Sequence, residues 1–140
     1  MLRAIAMVAV LVLAACESPS PSPTPVLHGT FTLLASNSIF QRADGTCTGS
    51  GGYADITALT EVTVKNQAGD IIGITNLGDG KRGPATATHI ATAVCTFSFS
   101  LAGLPDATFY SFEVGHRGEV NYSAEQMASS DWTVTLTLGS

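Results

Sequence analysis

Strict alternation of apolar and polar residues is the feature that most constrains how this chain folds. It is clearest over 93–101, where Thr96, Ser98 and Ser100 separate apolar residues. The apolar members of this segment are Ala93, Cys95, Phe97, Phe99 and Leu101. Because successive side chains of a β-strand point to opposite faces, a period of two predicts a strand with one buried face. The same period recurs over 31–35, 62–65, 110–114 and 132–138.

Turn-forming residues separate these segments. Gln67-Ala68-Gly69-Asp70 predicts a hairpin between 60–66 and 71–77, and His116-Arg117-Gly118 predicts a second turn. Ser123 and Gln126 have the spacing of a capping box, so we expect one short helix near 123–129. Together these signals predict an all-β fold, a single antiparallel β-sandwich of about seven strands. Its expected core is Phe31, Leu33, Val62, Val64, Phe97, Phe99, Tyr110, Phe112, Trp132, Val134 and Leu136.

The N-terminal segment resembles a bacterial lipoprotein signal peptide. Arg3 precedes an apolar run, and the run ends in Leu13-Ala14-Ala15-Cys16, which resembles a lipobox. Residues 4–15 are too few to span a hydrocarbon core, which needs about 20. The resemblance implies that 1–15 are removed and that acyl chains on Cys16 anchor the protein at the extracytoplasmic face of the cell membrane. An ordinary secretory signal cleaved after Ala14-Ala15 is the weaker alternative.

The residues after Cys16 indicate a stalk. Residues 17–25 read ESPSPSPTP, and alternating proline favours extended polyproline II at about 3.1 Å per residue. We therefore assign 16–26 to a stalk and 27–140 to the β-sandwich domain. Serine and threonine beside proline also suit O-glycosylation, which the sequence leaves open.

Cysteine content predicts one disulfide. With Cys16 assigned to lipid, Cys47 and Cys95 form an even pair in an oxidising compartment. A disulfide between them would contribute roughly 4 kcal/mol in the chain-entropy model. A free thiol or metal site is the alternative, although the sequence has no Cys-x-x-Cys spacing.

Charge and motif content disfavour several classes of function. Six Lys and Arg against eleven Asp and Glu disfavour nucleic acid, because phosphate binding draws on basic clusters. The histidines His28, His89 and His116 accompany no Gly-x-Ser-x-Gly motif and no metal-binding spacing. We therefore expect no enzymatic activity, no catalytic residues, no metal and no cofactor.

Two polar segments are the candidate partner-contact surface, since the loops of sandwiches commonly carry function. The candidate residues are Tyr53, Asp55, His116, Arg117 and Glu119. An acid–base pair of His116 with Asp55 or Glu119 is a further hypothesis. The interpretation that we favour is structural: Arg117 pairs with Asp55 or a glutamate and closes one end of the sandwich.

Two resemblances bear on the fold. The hairpin Val62-Thr63-Val64-Lys65-Asn66-Gln67-Ala68-Gly69-Asp70 and the segments 95–99 and 104–114 resemble the prealbumin-like (collagen-adhesin B-type) sandwich, which implies an Ig-like or prealbumin-like arrangement. Gly51-Gly52-Tyr53-Ala54-Asp55-Ile56, Gly115-His116-Arg117-Gly118 and Leu136-Thr137-Leu138-Gly139 resemble small surface lipoproteins of actinobacteria and their phages. The second resemblance implies location and fold but no activity.

These observations favour a non-enzymatic, lipid-anchored binding module that contacts an envelope protein or another envelope component. The alternative hypothesis is a prophage-encoded superinfection-exclusion lipoprotein, which would bind a protein of an incoming phage and block DNA entry. An enzyme with an unrecognised site is the weakest hypothesis.

Replacing Cys16 by Ser is expected to abolish lipidation, because the sulfur that would carry the diacylglycerol is lost. Metabolic labelling with radioactive palmitate measures this directly. Labelling of Cys16→Ser equal to that of the unmodified chain would contradict the assignment, and Cys47→Ser is the matched control for loss of a cysteine.

Overall fold

The fold is a β-sandwich, seen in a computed structural model that describes residues 24–35, 37–83 and 94–139. Its strands are β1 (Leu27–Leu34), β2 (Ile39–Gln41), β3 (Thr46–Gly49), β4 (Glu61–Lys65), β5 (Ile71–Asn76), β6 (Gly80–Arg82), β7 (Val94–Leu101), β8 (Phe109–Val114), β9 (Glu119–Ser123) and β10 (Thr133–Gly139). A 3₁₀ turn, Gly51–Tyr53, follows β3, and the helix α1, Ala124–Ser129, precedes β10. The signal peptide, Cys16, most of the stalk and His89 lie outside the described residues.

The strands form two sheets that pack against each other. The six-stranded sheet has the order β10-β1-β7-β6-β3-β2, and the four-stranded sheet has the order β5-β4-β8-β9. The all-β class and the sandwich are therefore confirmed. Within the described ranges, no helix reaches the length and apolarity that a membrane crossing requires.

Two details of the predicted sandwich are wrong. The described residues form ten strands rather than about seven, because β2, β3 and β6 have only three or four residues and show no long alternation. The pairing is also not wholly antiparallel, since β10 runs parallel to β1. These two strands are far apart in the sequence, so no tight turn forces them to be antiparallel.

The core lies between the inner faces of the sheets, as the alternation predicts. Every predicted core residue except Trp132 is buried. Trp132 instead lies in the turn after α1 at φ 55°, where its backbone N–H donates to the Met127 carbonyl oxygen at 2.8 Å. Its indole is half-buried and meets the Tyr110 ring edge-on at 5.4 Å. Trp132 therefore precedes β10 and does not begin its inward face.

Cys47 on β3 and Cys95 on β7 form a disulfide, as predicted. The strand β6 lies between β3 and β7 in the sheet, yet the two Cα atoms are only 5.8 Å apart. Neighbouring strands are spaced about 4.8 Å, so a flat sheet would hold these Cα atoms roughly twice as far apart. Both cysteines crowd against Gly80 of β6, where a Cβ atom would lie 2.8 Å from Cys95 Sγ and 2.2 Å from the Cys47 carbonyl oxygen.

Local signals predicted the connections well. In the β4–β5 turn, Asn66 Oδ1 accepts hydrogen bonds from the backbone N–H groups of Ala68 and Asp70 at 2.9 and 3.0 Å. The capping box of α1 is also confirmed: the Ser123 hydroxyl accepts from the Gln126 N–H, and the Gln126 side chain accepts from the Ser123 N–H.

Phe97→Ala is expected to lower the free energy of unfolding by about 3–5 kcal/mol, because the ring is fully buried and packs on Phe31. Chemical denaturation measures this loss. Phe40→Ala is the control: Phe40 is 56% exposed, so its loss is expected to cost about 0.5 kcal/mol or less. Equal costs for the two variants would contradict the described core.

Candidate functional site

Three of the five candidate contact residues meet at one end of the sandwich. Arg117 lies in the turn between β8 and β9, and Asp55 follows the 3₁₀ turn. Arg117 Nε donates to Asp55 Oδ2 at 3.0 Å, and its Nη2 contacts Asp55 Oδ1 and donates to the Gly52 carbonyl oxygen at 2.6 Å. The guanidinium carbon lies 5.1 Å from the centre of the Tyr53 ring. We call this arrangement the Arg117 clamp.

The Arg117 clamp has the chemistry of a structural tie. The hydrogen bond from Arg117 holds the pKa of the Asp55 carboxyl below its usual value, and Asp55 in turn raises the pKa of Arg117. Both charges are thus satisfied by each other and by the backbone. The clamp joins the loop after β3 to the β8–β9 turn, which is the structural interpretation that the sequence favoured.

The other two candidate residues lie elsewhere. The His116 side chain is fully exposed, and its Nδ1 is 3.7 Å from Glu113 Oε1. Glu119 is on β9 and pairs with Lys65. The structure therefore does not unite the five residues in one site. Three form the clamp, His116 projects into solvent, and Glu119 lies on the solvent side of the four-stranded sheet.

An ion cluster crosses the solvent side of the four-stranded sheet. Lys65 Nζ on β4 lies 2.7 Å from Glu113 Oε2 on β8 and 2.6 Å from Glu119 Oε1 on β9. The two carboxylates raise the pKa of Lys65, chiefly through the hydrogen bond to Glu113, and Lys65 lowers the pKa of Glu113. Because each residue comes from a different strand, the cluster ties three strands together across the solvent side of the sheet.

A shallow groove of about 480 Å³ lies beside the ion cluster. Its lining combines an aromatic ring with amide, hydroxyl and charged groups: Lys65, Asn66, Gln67, Gly69, Phe109, Ser111, Glu119 and Asn121. Phe109 is 50% exposed in the groove, and two further apolar residues on this sheet, Ile71 and Ile74, are 58% and 51% exposed. We call this surface, with its groove and these three apolar side chains, the outer face.

Sequence reasoning missed the apolar members of the outer face. The sequence contained a signal for Phe109. This residue precedes the inward-facing Tyr110, so alternation places its side chain on the solvent side of the strand, where a polar residue is expected. Ile71 and Ile74 begin and extend a strand whose alternation is weak. An apolar residue at an outward-facing position of a strand is the pattern that would have identified Phe109, Ile71 and Ile74.

Metal and family evidence add no further site. Among the described residues, no group of three His, Cys, Asp or Glu side chains is arranged to hold a metal ion. No family model, curated protein or solved structure matches the chain. The prealbumin-like and surface-lipoprotein resemblances therefore stay predictions.

The Arg117 clamp is expected to add its full stability above the ordinary pKa of an aspartate and to lose it in acid. Since the folded-state pKa of Asp55 is lowered, the contribution is complete well above about pH 4 and is lost as the pH falls through the folded-state pKa. The difference in melting temperature between the unmodified chain and Asp55→Asn should therefore shrink on acidification.

Thermal melts between neutral pH and pH 3 check this expectation. Asp55 is about half exposed, so the neutral-pH difference should correspond to about 1 kcal/mol or less. Asp106→Asn removes the same charge at an exposed position outside the clamp and is the control. A difference for Asp55→Asn that grows on acidification would contradict the clamp.

Proposed function

We propose that this chain is a membrane-anchored extracytoplasmic lipoprotein whose β-sandwich is a non-enzymatic binding module at the cell envelope. Its contact surface is the outer face of the four-stranded sheet. The observation that carries this proposal is the set of half-exposed apolar side chains, Phe109, Ile71 and Ile74, on the sheet that also bears a polar groove.

Anchoring is the part of the proposal that rests on the sequence. The lipobox-like segment ends at Cys16, and the proline-rich residues that follow would reach roughly 30 Å when extended. The stalk enters the domain at Leu27, the first residue of β1, which lies inside the six-stranded sheet between β10 and β7.

The outer face supports contact with a partner more strongly than the clamp does. Scattered apolar side chains are normal on any protein surface, but several on one sheet beside a groove are typical of an interaction site. The ion cluster around Lys65 holds three of the strands in register beneath such a partner. In contrast, Arg117 and Asp55 are already paired with each other, so a partner would have to break that pair to use them.

Photo-crosslinking in cells tests the contact surface. A photoreactive phenylalanine analogue replaces Phe109 in the full-length chain, and the same analogue replaces Phe40 as the control. Both side chains are about half exposed, but Phe40 lies on β2 of the other sheet. We expect a discrete crosslinked species from position 109 and none from position 40.

The identity of the crosslinked species separates the hypotheses. An envelope protein captured in uninfected cells supports the binding-module proposal as stated. A phage protein captured only during infection would favour superinfection exclusion instead. No crosslink from position 109, or the same crosslinks from both positions, would contradict the assignment of the outer face.

A further inference from the structure

Among the described residues, no strand pairs with the outer edge of β10, the outermost strand of the six-stranded sheet, and we call this its free edge. The His28 N–H on β1 donates to the Trp132 carbonyl oxygen. The N–H and C=O groups of the even-numbered residues in 134–138 therefore face β1. Backbone groups of alternate residues point to opposite sides of a strand. Consistent with this, the Tyr122 hydroxyl donates to the Thr135 carbonyl oxygen from the other side at 2.9 Å. The backbone groups of Thr135 and Thr137 therefore point away from β1.

Unlike the other sheet edges, β10 lacks the features that discourage strand pairing. Proteins protect edges with charges, bulges, prolines or very short strands. At the other edges, β2 has three residues, β9 carries Glu119, and β5 faces a register shift at Val64/Lys65. The seven residues of β10, TVTLTLG, include no charge and no proline, and they keep a regular register with β1.

The sandwich is open along this same side. On the opposite side, the Gly78 N–H and the Thr75 hydroxyl donate to the carbonyl oxygens of Ser98 and Ser100 at 2.8 and 2.9 Å and so join the sheets. Between β9 and β10, the one hydrogen bond within the described residues is that of Tyr122. A slot of about 30 Å³ remains there, and its lining includes Val120 of β9 and Leu136 and Leu138 of β10.

We propose that the free edge of β10 accepts an extended, uncharged peptide segment of a partner protein as an added strand. Backbone hydrogen bonds to the Thr135 N–H and to the N–H and carbonyl groups of Thr137 would hold the segment, since the Thr135 carbonyl oxygen already accepts from Tyr122. Side chains of an added strand alternate between faces, so every second one would point toward the slot. The slot has a volume of only about 30 Å³, so it favours small apolar side chains such as alanine.

A peptide fits this edge better than a second copy of the chain. Seven residues of strand are roughly 20 Å long, and a contact confined to that edge falls below the roughly 1,200–2,000 Å² of a stable interface. The inward side chains of a second β10 are Val134 and Leu136, which are already buried in their own core. They could not also fill the slot of a neighbouring copy, whereas the side chains of a free peptide are not already buried in a core.

Nuclear magnetic resonance of the full-length lipidated chain in detergent micelles tests the proposal, with acetyl-Thr-Ala-Thr-Ala-Thr-Ala-Thr-amide as the probe. Without peptide, the Thr135 and Thr137 amide protons should exchange fast while the Leu136 amide, bonded to β1, is protected. Peptide should slow exchange at Thr135 and Thr137 by about tenfold or more. A probe with phenylalanine in place of alanine should not do so, because its rings exceed the slot.

Two variants localise the binding, and a third, Thr137→Val, is the control. Thr137→Pro removes one free N–H, and proline is tolerated where the N–H of an edge strand faces solvent. It should weaken peptide binding severalfold, whereas Thr137→Val keeps the N–H and should not. Val120→Phe, at a residue 44% exposed in β9, should block the slot even if the proline variant fails to fold.

Three results would overturn the proposal. The first is no slowing of exchange at Thr135 and Thr137 at the highest soluble peptide concentration. The second is equal binding by the unmodified chain and by Val120→Phe. The third is a stable dimer without peptide in which the Thr135 and Thr137 amides are already protected, because a second copy would then occupy the edge. None of these results bears on the outer face, which is tested separately through Phe109.

Discussion

The Cys47–Cys95 disulfide is the link on which one half of the six-stranded sheet depends. The strands β2, β3 and β6 together have only ten residues and contribute few apolar side chains to the core. A covalent bond from β3 to the long strand β7 compensates for this, because it removes conformational freedom from the unfolded chain. The absence of a side chain at Gly80 lets the three strands approach closely enough for the bond to form.

The position of the Arg117 clamp follows from the same link. The Gly49 N–H at the end of β3 donates to the Ile56 carbonyl oxygen at 2.8 Å, which folds the intervening loop back against the core. That loop holds Asp55 where Arg117 reaches it from the β8–β9 turn. A chain of contacts therefore runs from the disulfide through β3 and the 3₁₀ turn to the second sheet. Breaking the disulfide is expected to loosen the clamp as well as β3.

The surfaces proposed for binding share a physical origin. A strand of a sandwich normally exposes polar side chains, and an edge strand is normally very short or protected by a charge, a bulge or a proline. Phe109 departs from the first rule because an aromatic ring occupies the solvent side of β8. The strand β10 departs from the second because its seven residues show none of these features, and no strand of the described residues pairs with its outer edge. Each departure leaves a favourable interaction unmade in the isolated chain, and a partner can supply it.

Features that depend on neighbouring residues or on simple counting could be predicted from the amino-acid sequence. Period-two alternation identified the long strands and ten of the eighteen buried hydrophobic residues, because strand geometry imposes that period locally. Asn66, Gly69 and the Ser123 capping box specified their turns through hydrogen bonds within a few residues. The pairing of Cys47 with Cys95 followed once Cys16 was set aside for lipid.

Contacts between residues far apart in the sequence became known from the three-dimensional packing of the strands. Arg117 and Asp55 are 62 positions apart, and Lys65 and Glu119 are 54 apart, so no local pattern specifies these pairs. The parallel β1–β10 pair, the short strands β2, β3 and β6, and the turn position of Trp132 likewise arise from packing between segments. The predicted contact residues lie on two surfaces for the same reason. Residues adjacent in sequence at 116–119 point to different sides of the sandwich, because the β8–β9 turn and the alternation of β9 direct their side chains apart.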